Sequence, residues 1–213
     1  DGLRMAVELG AEDVSRRRAY LDKIYIYPLS PYSLTNAYIN LKGYTLWVNA
    51  DGERFNNEFC GEHVPCYYSN AKLTQAETWA VFDSSFVERF SSEAKDMVSD
   101  IESLVGNEYK NCFRADSIEE LANLSGINAD VFCTTVDRYN SFCKTGVDED
   151  FSKDKSRLLP IVKAPFYMVR QDLGVWTSIG AIRTNRRYEV VTPAGKTIPG
   201  LYCAGVDGCE LYW

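Results

Sequence analysis

Residues 196–208, K-T-I-P-G-L-Y-C-A-G-V-D-G, decide how the rest of the chain is read. Pro199-Gly200 is a turn signal, residues 201–204 form a short apolar strand, and Gly205 ends it where a backbone can approach a ligand closely. Working outward toward the N-terminus, residues 188–192 (Y-E-V-V-T) followed by Pro193-Ala194-Gly195 read as strand and turn. Residues 173–181 are apolar and bounded by glycine, and residues 166–169 (F-Y-M-V) read as a further strand.

Composition narrows the function classes. The 213 residues are 46% hydrophobic and 25% charged, which describes an ordinary globular chain with room for one good core, or for one domain and part of another. A net charge of -7 argues against nucleic acid as a partner, because phosphate binding draws on clustered Lys and Arg. The one basic run, Arg16-Arg17-Arg18, is flanked by Glu12, Asp13 and Asp22 and reads as a solvated turn. No apolar run approaches the roughly 20 residues that span a bilayer. The opening D-G-L-R-M has neither an initiator Met nor a signal-peptide pattern, and the ending L-Y-W has no terminal helix, so both ends read as cuts. Seven cysteines, at 60, 66, 112, 133, 143, 203 and 209, include no C-x-x-C pair. Neither zinc nor a disulfide framework is expected, and free thiols in a reducing, cytoplasmic compartment fit best.

Residues 1–10 read as a helix capped by Asp1 and closed at Gly10, with Leu3, Ala6 and Val7 on one face. A strand at 24–27 stops at Pro28. Residues 44–49 and 54–59, joined through Asp51-Gly52, have the form of a hairpin. A short helix over 71–77 precedes a buried strand at 79–83, and Ser84 or Ser85 is placed to cap the next helix, which carries Phe86, Val87 and Phe90 on one side. Ser117 and Glu120 form a capping box. Asn128 starts a helix over 129–144 whose buried stripe is Phe132, Val136, Tyr139 and Cys143. Residues 153–163 read as a charged connector, and Pro165 restarts strand structure.

Three of these stretches together resemble the flavoprotein subunits of the fumarate reductase and succinate dehydrogenase family. They are Gly200-Leu201-Tyr202-Cys203-Ala204-Gly205, the hairpin with Asp51, Gly52, Arg54, Phe55, Asn57 and Glu58, and the order of motifs over 117–151. The resemblance implies an α+β fold. Residues 28–164 would be a capping domain over the substrate, with 1–27 and 165–213 as pieces of the FAD-binding domain at either end. It implies FAD as cofactor, with Asp1, Thr177, Gly205 and Val206 near it, a small-molecule substrate, and the remainder of the flavin domain as partner.

Where the chain departs from the family, the substrate site changes character. A His-Pro at the entry to the cap becomes Tyr27-Pro28, a Thr-Glu pair becomes Thr35-Asn36, and a substrate-binding His becomes Trp176. The family's proton-donating Arg, eight residues after the hairpin Arg, becomes Glu62, with His63, the chain's single histidine, beside it. A less charged, aromatic site follows, lined by Tyr27, Trp176 and Tyr67, with Glu62 and His63 as candidates for proton transfer. Arg54 and Glu58 are expected to pair inside the cap. No Gly-x-Gly-x-x-Gly follows a strand, so FAD retention by these 213 residues alone is not expected. A ketosteroid-dehydrogenase-like enzyme and a non-enzymatic binding module are the rival readings.

Overall fold

The computed structural model describes residues 2–15, 20–30, 32–59, 75, 77–178 and 181–208, with 20–23, 173–178 and 206 described by their backbone alone. The chain divides into two compact units, Ile24–Gly174 and the pair of segments Asp1–Lys23 and Val175–Trp213.

Helix α1 (Gly2–Glu8) buries Ala6 with Ala11, Ile182 and Val190, while Leu3 packs at the edge of that cluster. Val7, expected on the same face, is exposed; the helix is too short for its packed face to extend beyond the i, i+3 pair Leu3 and Ala6. Strand β1 (Tyr20–Tyr25) begins earlier than the expected 24–27 and pairs with β6, introduced below. Helix α2 (Leu34–Asn40) starts at Ser33, whose hydroxyl accepts the Asn36 N–H at 3.1 Å.

Strand β2 (Leu46–Asn49) is buried on both faces. Its turn places Gly52 at φ +86, where a Cβ would stand 2.8 Å from the Ile127 side chain, so conformation and space both require glycine. The expected return strand over 54–59 is reduced to one bridge, Val48 to Arg54. Its residues are held by side chains instead: Asn57 Nδ2 donates to the Phe151 carbonyl at 3.0 Å, and Arg54 and Glu58 join the charge cluster below.

Strand β3 (Thr78–Asp83) is wholly buried and runs into α3 (Ser84–Phe90). The cap is Asp83, not Ser84 or Ser85: its Oδ1 accepts the N–H groups of Ser85 and Phe86, while Oδ2 accepts those of Val162 and Lys163 at 2.8 Å each. A carboxylate serves four donors and complements the helix dipole, which a hydroxyl cannot do. Helix α4 (Met97–Leu104) and strand β4 (Cys112–Ala115) follow. At α5 (Ile118–Ser125) Ser117 caps as expected, but the Glu120 carboxylate reaches the Asp116 N–H. In α6 (Ala129–Thr145) the stripe is Phe132, Val136, Tyr139 and Phe142, with Cys143 half-buried beside it.

Strand β5 (Phe166–Arg170) is an inner strand of an antiparallel sheet of order β2-β3-β5-β4. The expected boundary after residue 164 falls just before it. The compact unit extends past that point, to Gly174, because β5 is hydrogen-bonded on both sides. Helices α5 and α6 cover one face of the sheet over Leu46, Val48, Trp79, Val81 and Met168. The opposite face packs Trp47, Ala80, Phe82 and Val169 against α2, α3 and α4.

The chain leaves through β6 (Asp172–Ser178). Strands β7 (Glu189–Val191) and β8 (Thr197–Tyr202) form a hairpin turning at Pro193-Ala194-Gly195. Pro199-Gly200, expected as a turn, lies inside β8, whose pairing with β7 carries a register shift; Gly200 supplies φ +77 there.

Within the larger unit four buried charges close the fold. Arg54 donates to Glu58 at 2.8 Å and to Asp148 at 2.8 and 2.9 Å, over the rings of Tyr139 and Phe151. Lys153 Nζ lies 3.2 Å from Glu58 and donates to the Thr45 carbonyl and the Tyr139 hydroxyl. No side chain of the four is more than 5% exposed. Lys153, expected in a solvated connector, is instead buried. Burial alone would push the Glu58 and Asp148 carboxyls up; Lys153 with Arg54 outweighs it for Glu58, as Arg54 does for Asp148, so both are held low.

Replacing Arg54 with Met strands the Asp148 carboxylate and leaves Glu58 with Lys153 alone, and urea unfolding should show a loss of about 3–5 kcal/mol. Alanine at the exposed Arg138–Asp150 pair should cost at most about 1 kcal/mol. Since the folded Glu58 and Asp148 values lie below the unfolded ones, their contribution is complete above about pH 5 and is lost as pH falls through the folded values. Acid titration of stability should therefore stay level from neutrality to about pH 5 and drop below it, more steeply than in the Arg54→Met variant.

Candidate functional site

The connection from β1 to α2 carries the substrate residues expected in this unit. Tyr27 is 44% exposed, yet its backbone is clamped on both sides. Its N–H donates to Asp172 Oδ2 at 3.4 Å, and its carbonyl accepts from Asn111 Nδ2. Ser33 fixes the first turn of α2, which places Thr35 and Asn36 inside the unit, at 1% and 0% exposure.

Asn36 opens a chain of neutral amides. Asn40, one turn later, donates to Asn36 Oδ1 at 3.0 Å, and Gln171 Nε2 donates to Asn40 Oδ1 at 3.0 Å. The Gln171 N–H in turn donates to the carbonyl of Thr78, its neighbour across β3. Gln171 Oε1 and Thr78 Oγ1 are buried without a partner. Unmet polar groups of this kind cost about 1–3 kcal/mol each and are uncommon in a settled core. The arrangement offers hydrogen bonds without charge. Asn36 and Asn40 share a helical i, i+4 spacing that the sequence displays; Gln171 and Thr78 join only through the sheet and carried no sequence signal.

The remaining expected residues fall elsewhere. Asp1, Glu62, His63 and Tyr67 lie outside the described residues. Trp176 and Thr177 fall in β6, described by its backbone. Gly205 and Val206 belong to a single 3-10 turn, Gly205–Asp207, in the smaller unit. Gly205 is exposed at φ +76, and a Cβ there would meet nothing within 4 Å. That is an open backbone surface to which a ligand can come close. The Asp207 carbonyl holds the turn by accepting from the Ala181 and Ile182 N–H groups at 3.1 and 2.9 Å.

Among the described residues no group of His, Cys, Asp and Glu could hold a metal, and no helix is long and apolar enough to cross a membrane. Cys112, Cys133 and Cys143 are free thiols; burial pushes that of Cys112 up to about 12 and that of Cys143 to about 11, which leaves both unreactive.

The model of the FAD binding domain matches residues 1–213. A vinyl phenol reductase of Lactiplantibacillus plantarum is 26% identical over 99% of this chain and 47% of its own. A 3-oxosteroid 1-dehydrogenase of Mycolicibacterium smegmatis is 29% identical over 74% of this chain and 32% of its own, so the chain spans less than half the length of these curated relatives. The open conformation of a flavocytochrome c3 fumarate reductase shares the fold at a TM-score of 0.65 and 23% identity, covering 98% of this chain and 34% of that one. By the match over its full length and by its fold, the chain belongs to the FAD binding domain family of fumarate reductase-like flavoproteins.

Proposed function

We propose that these residues serve an FAD-dependent oxidoreductase acting on the carbon–carbon double bond of an uncharged, ring-bearing substrate, or on the saturated product in reverse. Residues 28–164 are its substrate lid, and 1–27 with 165–213 adjoin the flavin. The observation that carries the reading is the amide chain from Asn36 through Asn40 to Gln171. Where the resemblance puts a glutamate, this chain puts an asparagine whose Oδ1 accepts from the Asn40 amide. A substrate carboxylate brought to it would lose hydration without gaining a counter-charge, whereas a hydroxyl or carbonyl exchanges one hydrogen bond for another. The relatives named for vinyl phenol and for 3-oxosteroids support a ring.

The roles follow. As the resemblance implies, Tyr27, Thr35, Asn36 and Trp176 are its substrate-binding residues. His63 gives or takes the proton, with Glu62 beside it as the alternative. Asp1, Thr177, Gly205 and Val206 face the cofactor, which when bound supplies hydride transfer. The remainder of the flavin domain holds the pyrophosphate. These 213 residues alone, without a glycine fingerprint, neither retain FAD nor turn over substrate. The enzyme is cytoplasmic.

Kinetics of the FAD-loaded enzyme test the reading. The kcat/KM for 4-vinylphenol or a 3-oxosteroid should exceed that for fumarate by on the order of 100-fold, and a preference for fumarate would overturn it. His63→Gln should lower kcat by roughly 10²–10⁴-fold with KM little changed. An unchanged kcat removes His63 from the reaction and passes its role to Glu62.

A further inference from the structure

Tyr109 stands against Tyr27 in an edge-to-face pair, with ring centroids 4.8 Å apart at 84°. Tyr27 and then Glu108 are the polar groups that act most on the Tyr109 phenol. Both rings remain well exposed, at 44% and 39%.

One residue fixes both. Asn107 Oδ1 accepts the Tyr109 N–H at 3.0 Å, and Asn107 Nδ2 donates to Asn111 Oδ1 at 2.9 Å. Asn111 then donates to the Tyr27 carbonyl. Beside the pair, Lys110 takes a left-handed φ of +47, a conformation costly for lysine and kept only where surroundings enforce it. Two half-exposed aromatic rings are thus held at a set angle by backbone anchors rather than by burial.

We propose that Tyr109 is a second aromatic wall of the substrate site, which binds, with Tyr27, a flat uncharged ring carrying a hydroxyl or carbonyl group. The inference rests on the reading above that puts Tyr27 at the substrate. An edge-to-face pair leaves one ring face open for a third ring to stack, and the paired hydroxyls offer a polar group to its substituent. Tyr27, and then Glu108, push the Tyr109 phenol up to about 12, so it stays a neutral donor through the physiological range. A fixed pair also spares the ligand the ordering of two side chains.

The test uses the FAD-loaded enzyme, its flavin held reduced, with ¹³C-labelled tyrosine and 4-ethylphenol, the saturated counterpart of 4-vinylphenol, which a reduced flavin cannot oxidise. Addition should shift the ring signals of both Tyr27 and Tyr109. Tyr109→Ala should weaken 4-ethylphenol binding, and raise the KM for 4-vinylphenol, by about tenfold with kcat nearly unchanged. Tyr109→Phe, which keeps the ring, should recover most of that loss. Shifts at Tyr27 alone would overturn the proposal and leave the function of the site standing, whereas silence at both would sink the two together. A Tyr109→Ala variant that folds and binds 4-ethylphenol as the parent does would also overturn it.

Discussion

Two positive and two negative side chains, all nearly inaccessible to water, tie two distant parts of this chain to one point. Arg54 comes from the turn after β2, Glu58 from the loop behind it, and Asp148 and Lys153 from the segment after α6. Burying any one of them alone would cost several kcal/mol; together they are neutral, bidentate and laid over aromatic faces. The backbone is drawn in as well, since Trp47 N–H donates to Glu58 and Lys153 N–H to Asp148. The sheet edge at β2 is thereby fastened to α6 without a second hairpin strand.

The same unit treats polarity differently on its other face. There the charges give way to Asn36, Asn40, Gln171 and Thr78, an uncharged row with two unmet hydrogen-bonding atoms. Such groups are tolerated where something other than stability is served. A pair of half-exposed tyrosines, aligned through Asn107 and Asn111, belongs to this unit too. Neutral amides and aromatic edges are the features on which the proposed reading of a ring with a hydroxyl or carbonyl rests.

Much of this was legible in the residues. The hairpin motif around Asp51-Gly52 located its turn, and Arg54 and Glu58 showed their pairing through their spacing. Their other partners did not, because Asp148 is 94 positions from Arg54 and a lysine in a charged stretch looks solvated. Strand β5 was visible as an apolar run, yet periodicity says that a strand is buried and not which strands bury it. Pro199-Gly200 looked like a turn because a bulge within a strand and a turn ask the same conformation of glycine. Asp83 was passed over for two serines, since only the folded chain brings the Val162 and Lys163 amides to its second oxygen. At the site, Tyr27, Thr35 and Asn36 were legible through resemblance, while Gln171 and Thr78 needed the register of β3 and β5.

The central claim is that the buried charges hold Ile24–Gly174 together as one cooperative body. Native-state hydrogen exchange resolved at the Trp47 and Lys153 amides tests it most directly, because each donates to a carboxylate of the cluster. Both amides should exchange only through global opening of the unit, with the same free energy as the slowest amides of β3 and α6. If either exchanged by a separate, easier opening while β3 and α6 stayed protected, the cluster would be an ornament on the fold and not its closure.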